Sequence, residues 1–148
     1  MRAITRATVG LGWVVLAGFC GAGEGLGQPT QPAAAESART TAITHADALA
    51  AAKLVADKSV VVLDLRTPGE FTGGHIAGAT NLDCLARDFD QRLAGLDKSK
   101  RYLVYCASGG RSTRSLKRFE QHRFTAIVHL DGGLAGWKKA GQPIETSP

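Results

Sequence analysis

The chain has 148 residues, 44% of them hydrophobic and 21% charged, with a formal net charge of +5. That length allows one domain of ordinary size plus additional sequence, and the composition excludes wholesale disorder. Aromatic residues are few, like charges form no long run, and no zinc-finger or RNP-like spacing occurs, so no nucleic-acid partner is expected. The four histidines, His45, His75, His122 and His129, show no ligand spacing with the three cysteines, and neither a metal nor another cofactor is expected.

Residues 1–22 read as a secretory signal peptide. Arg2 and Arg6 precede an apolar stretch from Val9 to about Ala22, and no charge returns until Glu24. Several glycines make the same stretch marginal for a membrane span. LAGFC, residues 16–20, has the outline of a lipoprotein box, with Phe19 where such boxes carry a small residue. The expected protein is exported, periplasmic or lipid-anchored through Cys20, and that anchor would be its only link to a membrane. Residues 23–40, GEGLGQPTQPAAAESART, have no apolar period and read as a flexible linker. The folded domain is expected over 41–148, as a monomer.

From there the pattern alternates. THADALAAAKLVAD places Thr44 as an N-cap with Asp47 three residues on, which predicts a helix over 45–56. SVVVLDL, 59–65, is a β-branched run of the kind found in strands covered on both faces. Pro and Gly in TPGEFTGGHIAG break it, and ATNL, 79–82, reads as a short strand. Apolar residues at 85, 89, 93 and 96 predict a helix over 83–96. RYLVYC, 101–106, is a second buried strand, SLKRFEQH is helical, and TAIVHL, 125–130, is a third covered strand. DGGLAGWKKAG closes with a short helix stopped by Gly141 and Pro143. Strands alternating with helices predict an α/β domain with a mostly parallel sheet.

Ligands of such sheets bind outside the carboxyl ends of the strands, where Cys106 is placed. The turn that follows, Ala107, Ser108, Gly109, Gly110, Arg111, must enter a helix near Ser112. Gly109 and Gly110 permit positive φ and leave backbone N–H groups free to converge on one point. The helix N-terminus and Arg111 add positive charge. All of these favour an anion at the sulfur and lower the thiol pKa. A bare strand-end cysteine would be a small buried hydrophobe; the glycines, the arginine and the helix start argue for a reactive one.

On these residues the chain resembles the rhodanese (sulfurtransferase) domains. Three stretches carry the resemblance in order: LDLRTPGEFTGGHIAGATNLD at 63–83, YCASGGRS at 105–112, and LDGGLAGWKKAGQPIE at 130–145. It covers about residues 41–145. It implies a rhodanese-like α/β fold, with a five-stranded, mainly parallel sheet and helices on both faces. It also implies a ping-pong reaction. The Cys106 thiolate takes the outer sulfur of a small anionic donor such as thiosulfate, and the persulfide passes that sulfur to cyanide or a thiol acceptor. Ala107 to Ser112 would form the substrate loop, with Asp64 and Arg66 in support.

Asp64, at a strand end, is placed to accept from the loop or to pair with an arginine. Arg66 and Glu70 are expected to pair with each other across a turn. His75 is read as packed and hydrogen-bonded, and Trp137 as core. Ser108 and Ser112 are placed to bond the sulfur or the loop backbone, Ser112 also as an N-cap. Arg111 is read as serving the donor. Arg101, Arg111, Arg114, Lys117, Arg118 and Arg123 outnumber the single acid Glu120 between 101 and 123, which either steers an anion or is a solvated helix face. Two other functions remain open: a persulfide carrier or redox-linked binding module, and a phosphatase or arsenate reductase. Those reductases and phosphatases use a loop one residue longer than the four residues between Cys106 and Arg111 here. Cys84 and Cys106 are expected not to form a disulfide, because the family's sheet order puts the strand ending at Asp64 between them.

Overall fold

The computed structural model describes residues 40–146. The predicted leader, its Cys20 and nearly all of the linker lie outside the described residues. No described helix is long and apolar enough to cross a membrane.

Five parallel strands form one sheet in the order β1-β5-β4-β2-β3. They are β1 (Ala42–Ala46), β2 (Val61–Asp64), β3 (Thr80–Asn81), β4 (Arg101–Tyr105) and β5 (Ala126–Leu130). The helices are α1 (Ala48–Ala56), α2 (Pro68–Thr72), α3 (Phe89–Ala94), α4 (Gly110–Gln121) and α5 (Gly133–Lys139). The expected α/β fold is therefore present.

Side chains alternate across the sheet because the strand period is two. Tyr102 and Val104 join Leu63, Phe89, Leu93, Leu116, Phe119 and Phe124 on one face. Leu103 and Tyr105 join Val62, Ala48, Ala51, Val128, Leu134 and Trp137 on the other. The middle strands are apolar on both faces, which is why the β-branched runs lacked a polar alternation.

Three expected boundaries move. Thr44 is not an N-cap: it lies in β1, an edge strand with little burial, and helix α1 begins at Ala48. Asp47 is the cap, accepting from Ala50 N at 2.8 Å. The alanine run favours helix and hides the strand before it. TPGEFT is more than a break: it forms α2, with Thr67 and Glu70 making a capping box. The 83–96 helix shrinks to α3, since Asp83 to Asp88 form turns, with Asp83 Oδ1 accepting from Leu85 N at 2.9 Å.

Candidate active site

Cys106 follows β4 directly and is 1% exposed. The chain then turns through Ala107 and Ser108 into Gly109, whose φ of 100° lies where L side chains are strained. Gly109 caps α4. Gly110 is already helical, without a positive φ, so only one of the two glycines is needed for the turn.

The loop wraps the sulfur in donors. Gly109 N–H lies 3.2 Å from Cys106 Sγ, and the N–H and Oγ of Ser112 lie 3.5 Å from it. Ser108 is exposed and contributes through its backbone N–H. Burial opposes the thiolate, but these hydrogen bonds from Ser112, Ser108 and Gly109 outweigh it and hold the Cys106 pKa below its ordinary value. Ser112 is therefore a sulfur ligand inside the first turn of α4, not its N-cap; its Oγ also lies 2.9 Å from Gly109 O.

The loop's carbonyls are held away from the sulfur by α5. Leu134 N donates to Cys106 O at 2.8 Å, and Ala135 N to Ala107 O at 2.9 Å. Gly133 makes this approach available. A Cβ there would collide with the Cys106 carbonyl oxygen and lie 2.9 Å from Gly109 N, at a φ of 55°. The Gly-Gly of the last motif is thus the platform beneath the loop.

Two ion pairs differ from expectation. Arg66 does not pair with Glu70. It closes on Asp64, with Nε at 2.9 Å and Nη2 at 2.5 Å, and donates to Gly74 O at 2.7 Å. Both side chains are almost fully buried. Asp64 thus takes the second of its two expected roles, with Arg66 as the partner. Glu70 instead receives Arg111, at 2.6 and 2.8 Å in a bidentate pair. The pair holds α4 to α2, and it pulls the Glu70 carboxyl down to about 2. Arg111 is therefore committed to Glu70 rather than free to face a donor.

His75 is buried, stacks on Phe71 at 3.8 Å and contacts Phe71 O through Nδ1 at 2.9 Å, as expected of a packed residue. Trp137 is core, with Nε1 donating to Pro143 O at 2.8 Å. A pocket of about 190 Å³ shares Arg111 with the loop and is also lined by Cys84, Leu85, Arg114, Ser115 and Arg118. Arg118 is paired with Asp90 at 3.3 Å, so the basic stretch of α4 is partly neutralised.

One contact of the loop escaped sequence reading. His129 Nε2 lies 2.9 Å from Ser112 Oγ, while its Nδ1 lies 3.0 Å from Asp131 Oδ1. The legible signal was a lone histidine in TAIVHL, a strand otherwise apolar on both faces.

Residues 47–140 match the rhodanese-like domain family model. The chain belongs to this family. Among its relatives, "Thiosulfate sulfurtransferase 16, chloroplastic" of Arabidopsis thaliana is 34% identical over 93 residues, covering 56% of this chain and 78% of that one. A "Sulfurtransferase" of Allochromatium vinosum is 29% identical over 92 residues, 62% of this chain and 84% of that one. The chain spans less of other relatives: 46% of an uncharacterized Synechocystis protein at 38% identity, and 22% of a probable adenylyltransferase/sulfurtransferase of Mycobacterium tuberculosis at 31% identity. A rhodanese-related protein from Thermoplasma volcanium shares the fold, with a TM-score of 0.64, 28% identity, and coverage of 70% of this chain and 99% of that one. The rhodanese domain's relatives by name support sulfur transfer as its general chemistry.

Proposed function

We propose that this rhodanese domain takes sulfane sulfur from a small anionic donor such as thiosulfate and passes it to a thiophilic acceptor, cyanide or a thiol, through a Cys106 persulfide. The observation that carries this is the set of N–H and O–H donors around Cys106 Sγ. Thiolate and persulfide are both anions, so one cradle stabilises the resting nucleophile and the loaded intermediate.

The reaction divides into two displacements. The Cys106 thiolate attacks the outer sulfur of thiosulfate, a new S–S bond forms, and sulfite leaves with the electron pair of the old one. Cyanide or a thiolate then attacks the terminal sulfur, and Cys106 leaves as thiolate. A nucleophile that is already ionised needs no base in the attack itself.

The four-residue spacing between Cys106 and Arg111 narrows the cradle relative to tetrahedral-oxyanion enzymes, which favours sulfur transfer over phosphoryl chemistry. The charged start and apolar stretch of residues 1–22 support export of the mature domain, and the intact mass of the native protein tests it: a retained Met1 would contradict cleavage, and a diacylglycerol adduct would show an anchor at Cys20.

The activity is tested by a thiosulfate–cyanide assay on the full chain beside Cys106→Ser. Thiocyanate should form only with the cysteine present. A Cys106 persulfide that forms but passes no sulfur to cyanide or thiols would favour the carrier reading.

A further inference from the structure

Ser112 Oγ is shared among three groups. It lies 3.5 Å from Cys106 Sγ, 2.9 Å from Gly109 O and 2.9 Å from His129 Nε2. Gly109 O already accepts the N–H and the Oγ1–H of Thr113, each at 2.9 Å, so it does not require the Ser112 proton. His129 is 3% exposed in the sheet interior, and Asp131, at the surface, closes on its Nδ1 at 3.0 Å. Four groups from three elements thus stand in line from a surface carboxylate to the nucleophile.

A hydroxyl has one proton to give. While Ser112 donates to His129 Nε2, it cannot donate to the sulfur. A proton on Nε2 reverses the contact: Nε2–H donates to Ser112 Oγ, and the hydroxyl proton is released toward Sγ. Asp131 Oδ1 accepts the Nδ1–H, which leaves Nε2 as the ring nitrogen that faces Ser112.

We propose that Asp131, His129 and Ser112 form a proton relay that holds Cys106 as a thiolate. The proton on Sγ passes to Ser112 Oγ while the hydroxyl proton passes to His129 Nε2. The products are a thiolate and an imidazolium, and no bond to sulfur other than S–H is broken. The inference rests on Cys106 being the nucleophile, and it makes His129 a positioning residue that acts through Ser112. Among the described residues, the titratable groups facing His129 are Asp131 beyond its own strand, His45 from β1, and Cys106 beyond Ser112. His45 is the register partner of His129 and shares the same Asp131 oxygen at 2.8 Å, so it competes for that carboxylate from the solvent side.

The test is the pH profile of iodoacetamide alkylation in the full chain carrying Cys20→Ser and Cys84→Ser, so that only Cys106 reacts. His129→Asn should raise the midpoint by about one pH unit, which slows alkylation about tenfold at pH values well below the wild-type midpoint and less near or above it. Asp131→Asn, at an exposed position, should slow it about threefold. On a Ser112→Ala background, His129→Asn should add nothing further, since the bridge is already gone. An unchanged profile in His129→Asn overturns the relay. So does a full His129→Asn effect that persists without the Ser112 hydroxyl. If His129→Asn does not fold, Asp131→Asn decides alone, and an unchanged rate there overturns the proposal. No sulfur donor enters these measurements, so failure of the relay and failure of the sulfurtransferase reading are separately visible.

Discussion

Arg111 of the active-site loop is locked onto Glu70, a residue 41 positions earlier, by two hydrogen bonds of 2.6 and 2.8 Å. Both side chains are only partly exposed, and the pair spans from α2 to the first turn of α4. It ties the end of the loop, where α4 begins, to α2. Arg111→Ala should lower kcat/KM by about 10–150-fold, the cost of about 1.5–3 kcal/mol for one charge-assisted contact. Because the clamp serves the loop, an uncharged sulfur donor should suffer as much as thiosulfate. Glu70→Ala should damage the enzyme as well, and the double variant should be little worse than either single one. A Glu70→Ala protein that works better with thiosulfate would show that Arg111, once released, binds the donor.

The same pair sets an acid limit on stability. Arg111 holds the folded-state pKa of Glu70 near 2, below the about 4.3 of an unfolded chain. A depressed carboxyl pKa stabilises the fold above the unfolded value, and that contribution is lost as pH falls through the folded one. The melting temperature of the wild type should therefore drop between about pH 4.5 and 2 more steeply than that of Glu70→Gln, which has no proton to take up. Parallel curves would mean that the ion pair adds nothing to stability.

Much of this was legible in the chain, and the exceptions have physical reasons. The strands around Leu63, Val104 and Val128 were readable because burial on both faces demands continuous β-branched and aliphatic residues. The loop was readable because a strand-end cysteine followed by Gly, Arg and a helix start favours an anion at the sulfur. β1 was hidden because an exposed edge strand carries little hydrophobic signal and runs straight into the alanines of α1. Arg66 was expected on Glu70 and Arg111 on the donor, whereas Arg66 pairs with Asp64 and Arg111 takes Glu70. A pairing across the turn favours Glu70 for Arg66, but Asp64, two residues away and fully buried, could not remain without its own cation. His129 was passed over because its partner Ser112 lies 17 residues away, and nothing local marks the pair.

Gly133 is the position where a single added methyl should do most harm away from the sulfur. The methyl would meet the Cys106 carbonyl oxygen and Gly109 N, on backbone with φ of 55°. Strain and overpacking together should cost Gly133→Ala about 2–6 kcal/mol in denaturant titration. Activity should fall further than the loss of folded protein explains, because the loop's carbonyls lose Leu134 N and Ala135 N as donors. Unimpaired activity per folded molecule would show that the platform is not needed to aim the loop.

Cys84 and Cys106 are both free thiols, and β2 lies between the strands that precede them. Burial pushes the Cys84 thiol up, while Cys106 is held down, so their reactivities should separate. Under denaturing, non-reducing conditions both should be titrated by a thiol reagent. In the folded state at neutral pH, Cys106 should be alkylated first. Loss of both thiols on purification in air would instead show a disulfide, and a loop able to move far enough to bring the two sulfurs together.

The central claim is that Cys106 carries the transferred sulfur. Its most direct test is the intact mass of the protein after incubation with thiosulfate and removal of the donor. The wild type should gain the mass of one sulfur atom, lose it again on adding cyanide, and release one equivalent of thiocyanate. Cys106→Ser should gain nothing. Equal gain in both proteins, or a gain in the wild type that maps to Cys84, would contradict the account.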